Sequence, residues 1–291
     1  MPFKKTDLVG YAFVAPMLLG IAVFFLYPML ASFDLSFRNA NGAADSARNL
    51  NNYAWIVRDP NFWSAVFNTI YMAFLSVVTG LVFPFVLASL INSVRWGKGL
   101  FKSVFFLPNI VSVVGTAILF TYIFYPTEQG LMNSIIGWIG FDEIGWFSDP
   151  RYSKYSIVLM GLWGSLGYNT IIFLAGLQSV PRDLYEAAEV DGANPVQKWW
   201  YITIPYLRAI FVFIIVIGTI GSMKRFGDVW MIGGNAGNPN GSLLTIVLYI
   251  YRNAFEAYQI GIGSAAAFLL FVIIMIFSLL NLRIFGKNNV D

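Results

Sequence analysis

The side chains best placed to do chemistry lie in one polar break, Glu186-Ala187-Ala188-Glu189-Val190-Asp191-Gly192, followed by Ile202-Thr203-Ile204-Pro205. Asp183, Glu186 and Glu189 recur every third residue, so on a helix they share one side, while Leu184, Ala187, Ala188 and Val190 offer small apolar surface. Such a segment can plug a groove and exchange ion pairs at its rim. Catalysis has little to work with. The chain has no His and no Cys, which removes imidazole bases, thiolate nucleophiles, disulfides and the commonest zinc ligands together. No paired carboxylates or nucleophile–base set lies at one depth, and no G-x-x-x-x-G-K-[ST] run is present to cradle nucleotide phosphates. Energy, if used, comes from another polypeptide.

The rest of the chain is built for a bilayer. It is 58% hydrophobic and 11% charged, with 27 Phe in 291 residues, and its mean hydropathy is +0.68. The net charge of +3 is scattered, so a nucleic-acid partner has no basic footprint. Crossing about 30 Å of hydrocarbon takes about 17 to 25 apolar residues, and six runs qualify: 8–33, 65–91, 103–124, 156–177, 204–222 and 264–285. The first follows Lys4 and Lys5 as a signal peptide would, but its apolar run exceeds the usual ~7 to 15 residues and no small-residue cleavage site closes it, so a retained span is expected. Pro16 and Pro84 fall inside spans and predict kinks.

Six spans put both termini on one side. Placing them in the cytoplasm collects Lys4, Lys5, Arg95, Lys98, Lys102, Arg182, Lys198, Arg208, Arg283 and Lys287 from the 18 basic residues, and the short segment 92–102 carries three of these with no acid. The external segments are then 34–63, 125–155 and 223–263, which hold the turn-rich runs Gly233-Gly234-Asn235 and Gly237-Asn238-Pro239-Asn240-Gly241. The expected fold class is an all-α membrane protein of six helices. Residues 1–63 form a first helix and external segment, 64–286 a five-helix transmembrane domain, and 287–291 a cytoplasmic tail.

The polar loop, 181–203, predicts two short helices. Asp183 offers an N-cap with Glu186 three positions on, Gly192 ends the first helix, and Asn194 with Pro195 starts a second toward Trp199 and Trp200. A helix lying on lipid is the plain alternative. Interfacial helices, however, carry basic residues that attract the anionic leaflet at about 1 kcal/mol per charge, whereas this one is acidic. A protein partner is favoured.

The spacing Glu-Ala-Ala, three residues, Gly, nine residues, Ile-x-Ile-Pro resembles the signature loop of the membrane subunits of ATP-driven (ABC) solute importers, with Ile204 where Leu is usual. Further fragments resemble the carbohydrate importer permeases of the maltose-permease type in order and spacing: Pro16, Tyr27-Pro28 and Ser36-Phe37; Asn52-Tyr53, Asp59, Phe62 and Asn68-Thr69; Leu107-Pro108; Leu174 to Gln178 with Pro181; and Tyr249-Ile250-Tyr251 with Ala254-Phe255. The resemblance implies the type I ABC importer permease fold in a prokaryotic plasma membrane. It also implies a second homologous permease, a cytoplasmic ATPase dimer that carries the ATP and Mg (this chain having no cofactor of its own), and an extracytoplasmic solute-binding protein. Glu186, Ala187, Ala188 and Gly192 would seat the coupling helix in an ATPase cleft. One departure stands out: Gly227 precedes Asp228 where the family usually has an aromatic.

A carbohydrate site is then expected near mid-membrane. Tyr168 and Asn169 are candidates, the ring for stacking on a pyranose face and the amide for vicinal hydroxyls; the alternative is that Tyr168 packs with Gly164 and Gly167 as a helix contact. Ser222, Arg225 and Asp228 form a second set beside Lys224. Either these cations snorkel to an interface beside a nearby acid, with Asp228 one turn beyond Lys224, or Arg225 faces the path and recognises an acidic sugar. Asn194-Pro195-Val196 and Asn238-Pro239-Asn240 do not open apolar half-helices as a water channel requires. An ion-gradient-driven transporter lacks an acid at the centre of any span. That transporter and an ABC permease for a non-sugar solute are the alternatives.

Overall fold

The computed structural model describes residues 5–285 except 44, 45 and 95, with side chains from 10 to 284 among them. Lys4, Arg95, Lys287, the side chain of Lys5 and the tail 287–291 therefore lie outside the described residues. The regular structure among those described is helical throughout. In chain order it comprises α1 (Lys5–Ile21), α2 (Tyr27–Ser36), α3 (Asn51–Arg58), α4 (Pro60–Ser93), α5 (Lys98–Phe106), α6 (Val113–Ile123), α7 (Leu131–Trp138), α8 (Pro150–Ser179), α9 (Arg182–Val190), α10 (Pro195–Lys198), α11 (Ile204–Tyr206), α12 (Arg208–Met223), α13 (Gly227–Gly233), α14 (Ile246–Tyr251) and α15 (Ile260–Phe285).

Four of these stretches are long and apolar enough to cross a membrane: Gly10–Ser36, Pro60–Ser93, Pro150–Ser179 and Ile260–Ile284. The first joins α1 to α2 through a π-helical turn, Ala22–Leu26, and α4 continues through Pro84. The third and fifth runs expected from hydropathy are broken helices rather than straight ones. Lys98–Ile110 meets α6 at 100°, and Pro195–Tyr206 meets α12 at 64°. The first break follows from Pro108, which lacks an N–H. A 3₁₀ turn spans Leu107–Ile110, Val111 is extended, and Ser112 restarts the helix by accepting the Gly115 N–H at 3.2 Å. At the second, Leu207 leaves helical geometry at φ −82°, ψ 4°, two residues after Pro205.

Helices α4, α8 and α15 also begin several residues before their apolar runs, because a helix does not stop where its side chains become polar. Asp149 caps α8 by accepting the Arg151 N–H at 2.8 Å. The Arg151 guanidinium, bonded to the same carboxyl, holds it below the usual carboxylate range.

The chain divides into two compact units. In the unit Met1–Pro60 with Tyr249–Leu270, Asn52 donates to the carbonyls of Ser36 and Arg38 at 2.9 and 2.8 Å. Asp34 there receives Arg38 and Arg48, each Nε at 2.7 Å, and the Tyr249 hydroxyl donates to Asp59 at 2.8 Å. The unit Asn61–Leu248 with Phe271–Asp291 holds two apolar cores. One surrounds Met72, Phe120, Ile157 and Met160; the other surrounds Phe85, Phe173, Leu207 and Ile214. Gly167 lets α8 lie directly against the chain at Phe105 and Phe106, since a Cβ there would fall 2.0 Å from the Phe105 carbonyl oxygen. Gly164, by contrast, has nothing within 4 Å of an added Cβ.

Between α6 and α8 the loop is organised by Asn133, which is 1% exposed. Its amide donates to the carbonyls of Tyr125 and Ile144, both at 3.0 Å. Its oxygen accepts from the Ile144 N–H at 3.2 Å and from Trp146 Nε1 at 2.9 Å. Replacing Asn133 by Leu removes these bonds; the Ile144 carbonyl keeps the Trp146 N–H at 3.0 Å, while the Ile144 N–H and Trp146 Nε1–H lose their partner at about 1–2 kcal/mol each. Asn133→Leu is expected to lower stability by about 2–4 kcal/mol, visible as an earlier unfolding midpoint in detergent. An unshifted midpoint would assign the loop's order to its apolar contacts.

Candidate functional site

The polar loop folds largely as its residues dictate. Helix α9 covers Arg182–Val190 and buries no residue. Its N-cap is Pro181 and makes no side-chain cap bond, so Asp183 lies in the first helical turn rather than at the cap. Pro181 has no N–H to leave unsatisfied, and Asp183 there complements the positive end of the helix. Gly192 closes the helix at φ +77°, with the N–H of Ala193 on the Ala188 carbonyl at 2.8 Å and that of Gly192 on the Glu189 carbonyl at 3.0 Å. A side chain at this φ would be strained. Asn194 and Gln197 complete a reciprocal capping box at 2.9 and 2.8 Å, opening α10.

Contacts invisible in the spacing then tie the loop to itself and to the bundle. Lys198 reaches back to Glu189 at 2.7 Å and is itself only 15% exposed. The Tyr185 and Thr203 hydroxyls are 2.9 Å apart. Trp199 stacks on Phe85 of α4, ring centroids 5.0 Å apart at 17°. The face left open carries Glu186 and Ala187 with Leu184, and Val190 is 89% exposed. Ala188 is half-buried and Gly192 exposed.

The other candidate residues, Tyr168, Asn169, Ser222, Arg225 and Asp228, line one open cavity of ≈ 570 Å³. Its walls come from α4, α6, α8, α12 and the bend between α5 and α6. Tyr168 is 47% exposed, and its ring and hydroxyl have no partner among the described residues. The glycine beside it, Gly167, makes the helix contact instead. Asn169 is partly committed, since its Nδ2 donates to the Gly80 carbonyl at 3.0 Å and so ties α8 to α4.

Arg225 lines the cavity, and Lys224 is exposed. Asp228, however, pairs with Arg225 rather than with Lys224: Nη1 to Oδ2 is 2.9 Å, with the two side chains 10% and 17% exposed. Because α12 ends at Met223 and the chain leaves helical geometry at Lys224, a one-turn spacing does not bring 224 and 228 together. The guanidinium also donates to the Ile157 carbonyl at 3.0 Å and to Ser76 Oγ at 3.1 Å. Gly161 makes room for it, because a Cβ there would lie 2.8 Å from Nη2. Neither Ser76 nor Gly161 has a neighbour in sequence that would single it out. Gly227 lines the cavity without filling it.

A bundle of apolar helices around an open cavity that carries a few polar side chains, with an exposed polar loop after α8, is the architecture of a membrane solute permease. The chain belongs to the family of binding-protein-dependent transport system inner membrane components, which residues 80–287 match. It is similar to the arabinooligosaccharides transport system permease protein AraP of Bacillus subtilis (strain 168), 34% identical with 98% of this chain and 91% of that protein covered. It is similar also to the lactose transport system permease protein LacF of Rhizobium radiobacter, 35% identical over 86% of this chain and 84% of that one. Its fold superposes on a chain of a bacterial alginate ABC transporter in complex with an alginate pentasaccharide-bound periplasmic protein, with a TM-score of 0.82, 25% identity and coverage of 96% and 94%.

Because the Arg225–Asp228 pair is mostly withdrawn from water, removing one partner strands the other. Asp228→Asn is expected to lower stability by about 2–3 kcal/mol, short of the ~3–5 kcal/mol for a fully buried pair. Ser76→Ala should cost no more than about 1 kcal/mol. Unfolding midpoints of the two variants check the order, and equal shifts would mean that solvent already screens the pair.

Proposed function

We propose that this chain is a permease subunit of an ATP-driven importer of sugars or oligosaccharides. In this reading it shares the translocation path with a second homologous permease, receives substrate from an extracytoplasmic solute-binding protein, and couples through Glu186, Ala187, Ala188 and Gly192 to a cytoplasmic ATPase dimer that holds the ATP and Mg. The termini lie in the cytoplasm. The observation that carries this reading is the cavity. It offers a solvent-accessible tyrosine ring, amide and hydroxyl groups at several heights, and charges that already neutralise each other, which suits a neutral polyhydroxylated ligand. The named substrates of AraP and LacF point the same way.

An acidic sugar would have to use the N–H groups of Arg225 that Ile157, Ser76 and Asp228 leave over. Arg225→Gln then impairs import of a uronate more than of its neutral analogue, by about 1.5–3 kcal/mol. Equal loss for both would confine Arg225 to its structural role. The ratio of the two substrates is the measurement, because it is insensitive to how much protein folds.

The stacking role of Tyr168 is tested by Tyr168→Ala. It should lower apparent affinity or transport rate by roughly threefold to tenfold, and Phe should restore most of it, since stacking is worth about 0.5–1.5 kcal/mol. Loss of detergent stability with substrate-stimulated ATPase intact would instead make Tyr168 a packing residue.

For the loop, Glu186→Lys reverses a charge on the open face of α9, and Gly192→Pro cannot hold φ +77°. Both are expected to weaken ATPase association and ATP-dependent uptake while membrane insertion stays normal. Undiminished association in both variants would remove the loop from the coupling role.

A further inference from the structure

A second recess in the unit Asn61–Leu248 with Phe271–Asp291 is unlike the first. It is an open groove of ≈ 580 Å³ on the outside of α4, bounded by Met223 of α12 and Phe277 of α15. Along α4 its floor is Phe67, Tyr71, Phe74, Val78 and Leu81, a stripe at helical spacing about 21 Å long at about 1.5 Å per residue. Phe67, Phe74 and Val78 are exposed. The polar side chains Thr219 and Asn281 bond each other at 3.2 Å, so that part of the wall asks only for apolar contact.

One end of the groove is charged. Lys154, on the second turn of α8, holds its Nζ over the rings of Phe67 and Tyr71, 5.4 and 5.6 Å from their centroids. It has no carboxylate within ion-pair distance among the described residues. Beside it the hydroxyls of Tyr71 and Tyr155 are 2.6 Å apart. One O–H of that pair must donate to the other oxygen, which leaves the second O–H free to donate outward. An ammonium and a free hydroxyl at the mouth of an apolar trough are complementary to a phosphate on an acyl chain. The stripe also exceeds the ~15 Å of hydrocarbon in one leaflet, so a chain can lie along it at full depth.

We propose that this groove binds an anionic phospholipid, with its phosphate on Lys154 Nζ and the Tyr71–Tyr155 hydroxyl pair and an acyl chain along Phe67, Phe74 and Val78. The inference is independent of the transported solute and of the coupling loop. The competing occupant is an apolar span of another permease, which would press Lys154 into a low-dielectric contact with no counter-charge, a costly arrangement in a membrane. A phosphate supplies that charge.

The test uses the full chain purified with its partner subunits, stripped of lipid in detergent and titrated with phosphatidylglycerol, with bound lipid read by native mass spectrometry. Wild type and Lys154→Arg are expected to bind one molecule with similar affinity. Lys154→Gln should bind roughly tenfold more weakly, and Tyr155→Phe roughly threefold, as befits one charged and one neutral hydrogen bond. Phe74→Trp, which enlarges the floor, should displace the chain. Tyr155→Phe leaves the charge alone, so it decides the matter should Lys154→Gln not fold.

Equal binding by wild type, Lys154→Gln and Tyr155→Phe overturns the proposal. So does glycerol phosphate binding as tightly as the lipid, which would define an anion site without a chain. The sequence has no cysteine, so Phe74→Cys introduces a unique thiol. Its cross-linking to a second permease or second copy in the membrane would give the groove to protein and overturn the lipid assignment.

Discussion

A polar group inside an apolar bundle must find its partner within the protein, and most of this structure follows from that constraint. Arg225 is the sharpest case. A guanidinium at this position is tolerable only because Asp228, the Ile157 carbonyl and Ser76 converge on it. These contacts in turn fix how α4, α8 and the end of α12 stand around the cavity. Asn68 works the same way, with Nδ2 on the Gly241 and Leu244 carbonyls at 2.9 and 3.0 Å. Thr69 takes the Ile246 N–H at 2.9 Å. The chain between α13 and α14, which contributes no long helix, is thereby fastened to α4.

The same constraint explains where the helices break. Irregular backbone at membrane depth needs a cavity or a protein neighbour to satisfy it, and the interruption between α5 and α6 has both. Pro108, Asn109 and Val111 line the cavity, while Phe105 and Phe106 lie under Gly167. The second break leads out of the bundle into the polar loop. Here the backbone stays paired across the bend, with the Leu207 N–H on the Thr203 carbonyl at 3.1 Å and the Phe211 N–H on the Leu207 carbonyl at 3.0 Å. Thus the two runs that differ from straight spans are those adjoining the cavity and the polar loop.

Much of this was legible in the residues because it is local. Gly192 and the Asn194–Gln197 box announce a helix end and a helix start through backbone geometry that few other residues supply. Composition likewise forecast membrane helices, but Tyr168 and Asn169 were read as one set and Ser222, Arg225 and Asp228 as another, and only the packing of α8 against α12 brings the two sets to one cavity. What was not legible depended on a turn or on distant packing. Asp183 looks like an N-cap until Pro181 starts the helix two residues earlier. Lys224 and Asp228 look like an i,i+4 pair until α12 ends at Met223, before both, and the irregular turn gives the acid to Arg225. Hydropathy counts residues but not direction, so a run bent by 100° scores like a straight one. Trp199 shows the limit most clearly. Its sequence neighbourhood suggests only a second loop helix, whereas its ring lies against a residue 114 positions away, Phe85.

That contact joins the polar loop to the packing behind the cavity. Phe85 touches Trp199, Phe173 and Phe211 at ring-centroid distances of 5.0, 5.2 and 4.9 Å, so the loop, α4, α8 and α12 share one aromatic cluster. Ile214 belongs to the same core and also lines the cavity. Packed interiors do not absorb displacements by compressing; they shift between alternative arrangements. If a partner moves α9, the Lys198–Glu189 and Tyr185–Thr203 contacts oblige Trp199 to follow, and its stacked neighbour must then repack or carry α4 with it. Through α4 and α8 the aromatic cluster is continuous with the cavity wall on which Gly80 and Asn169 meet.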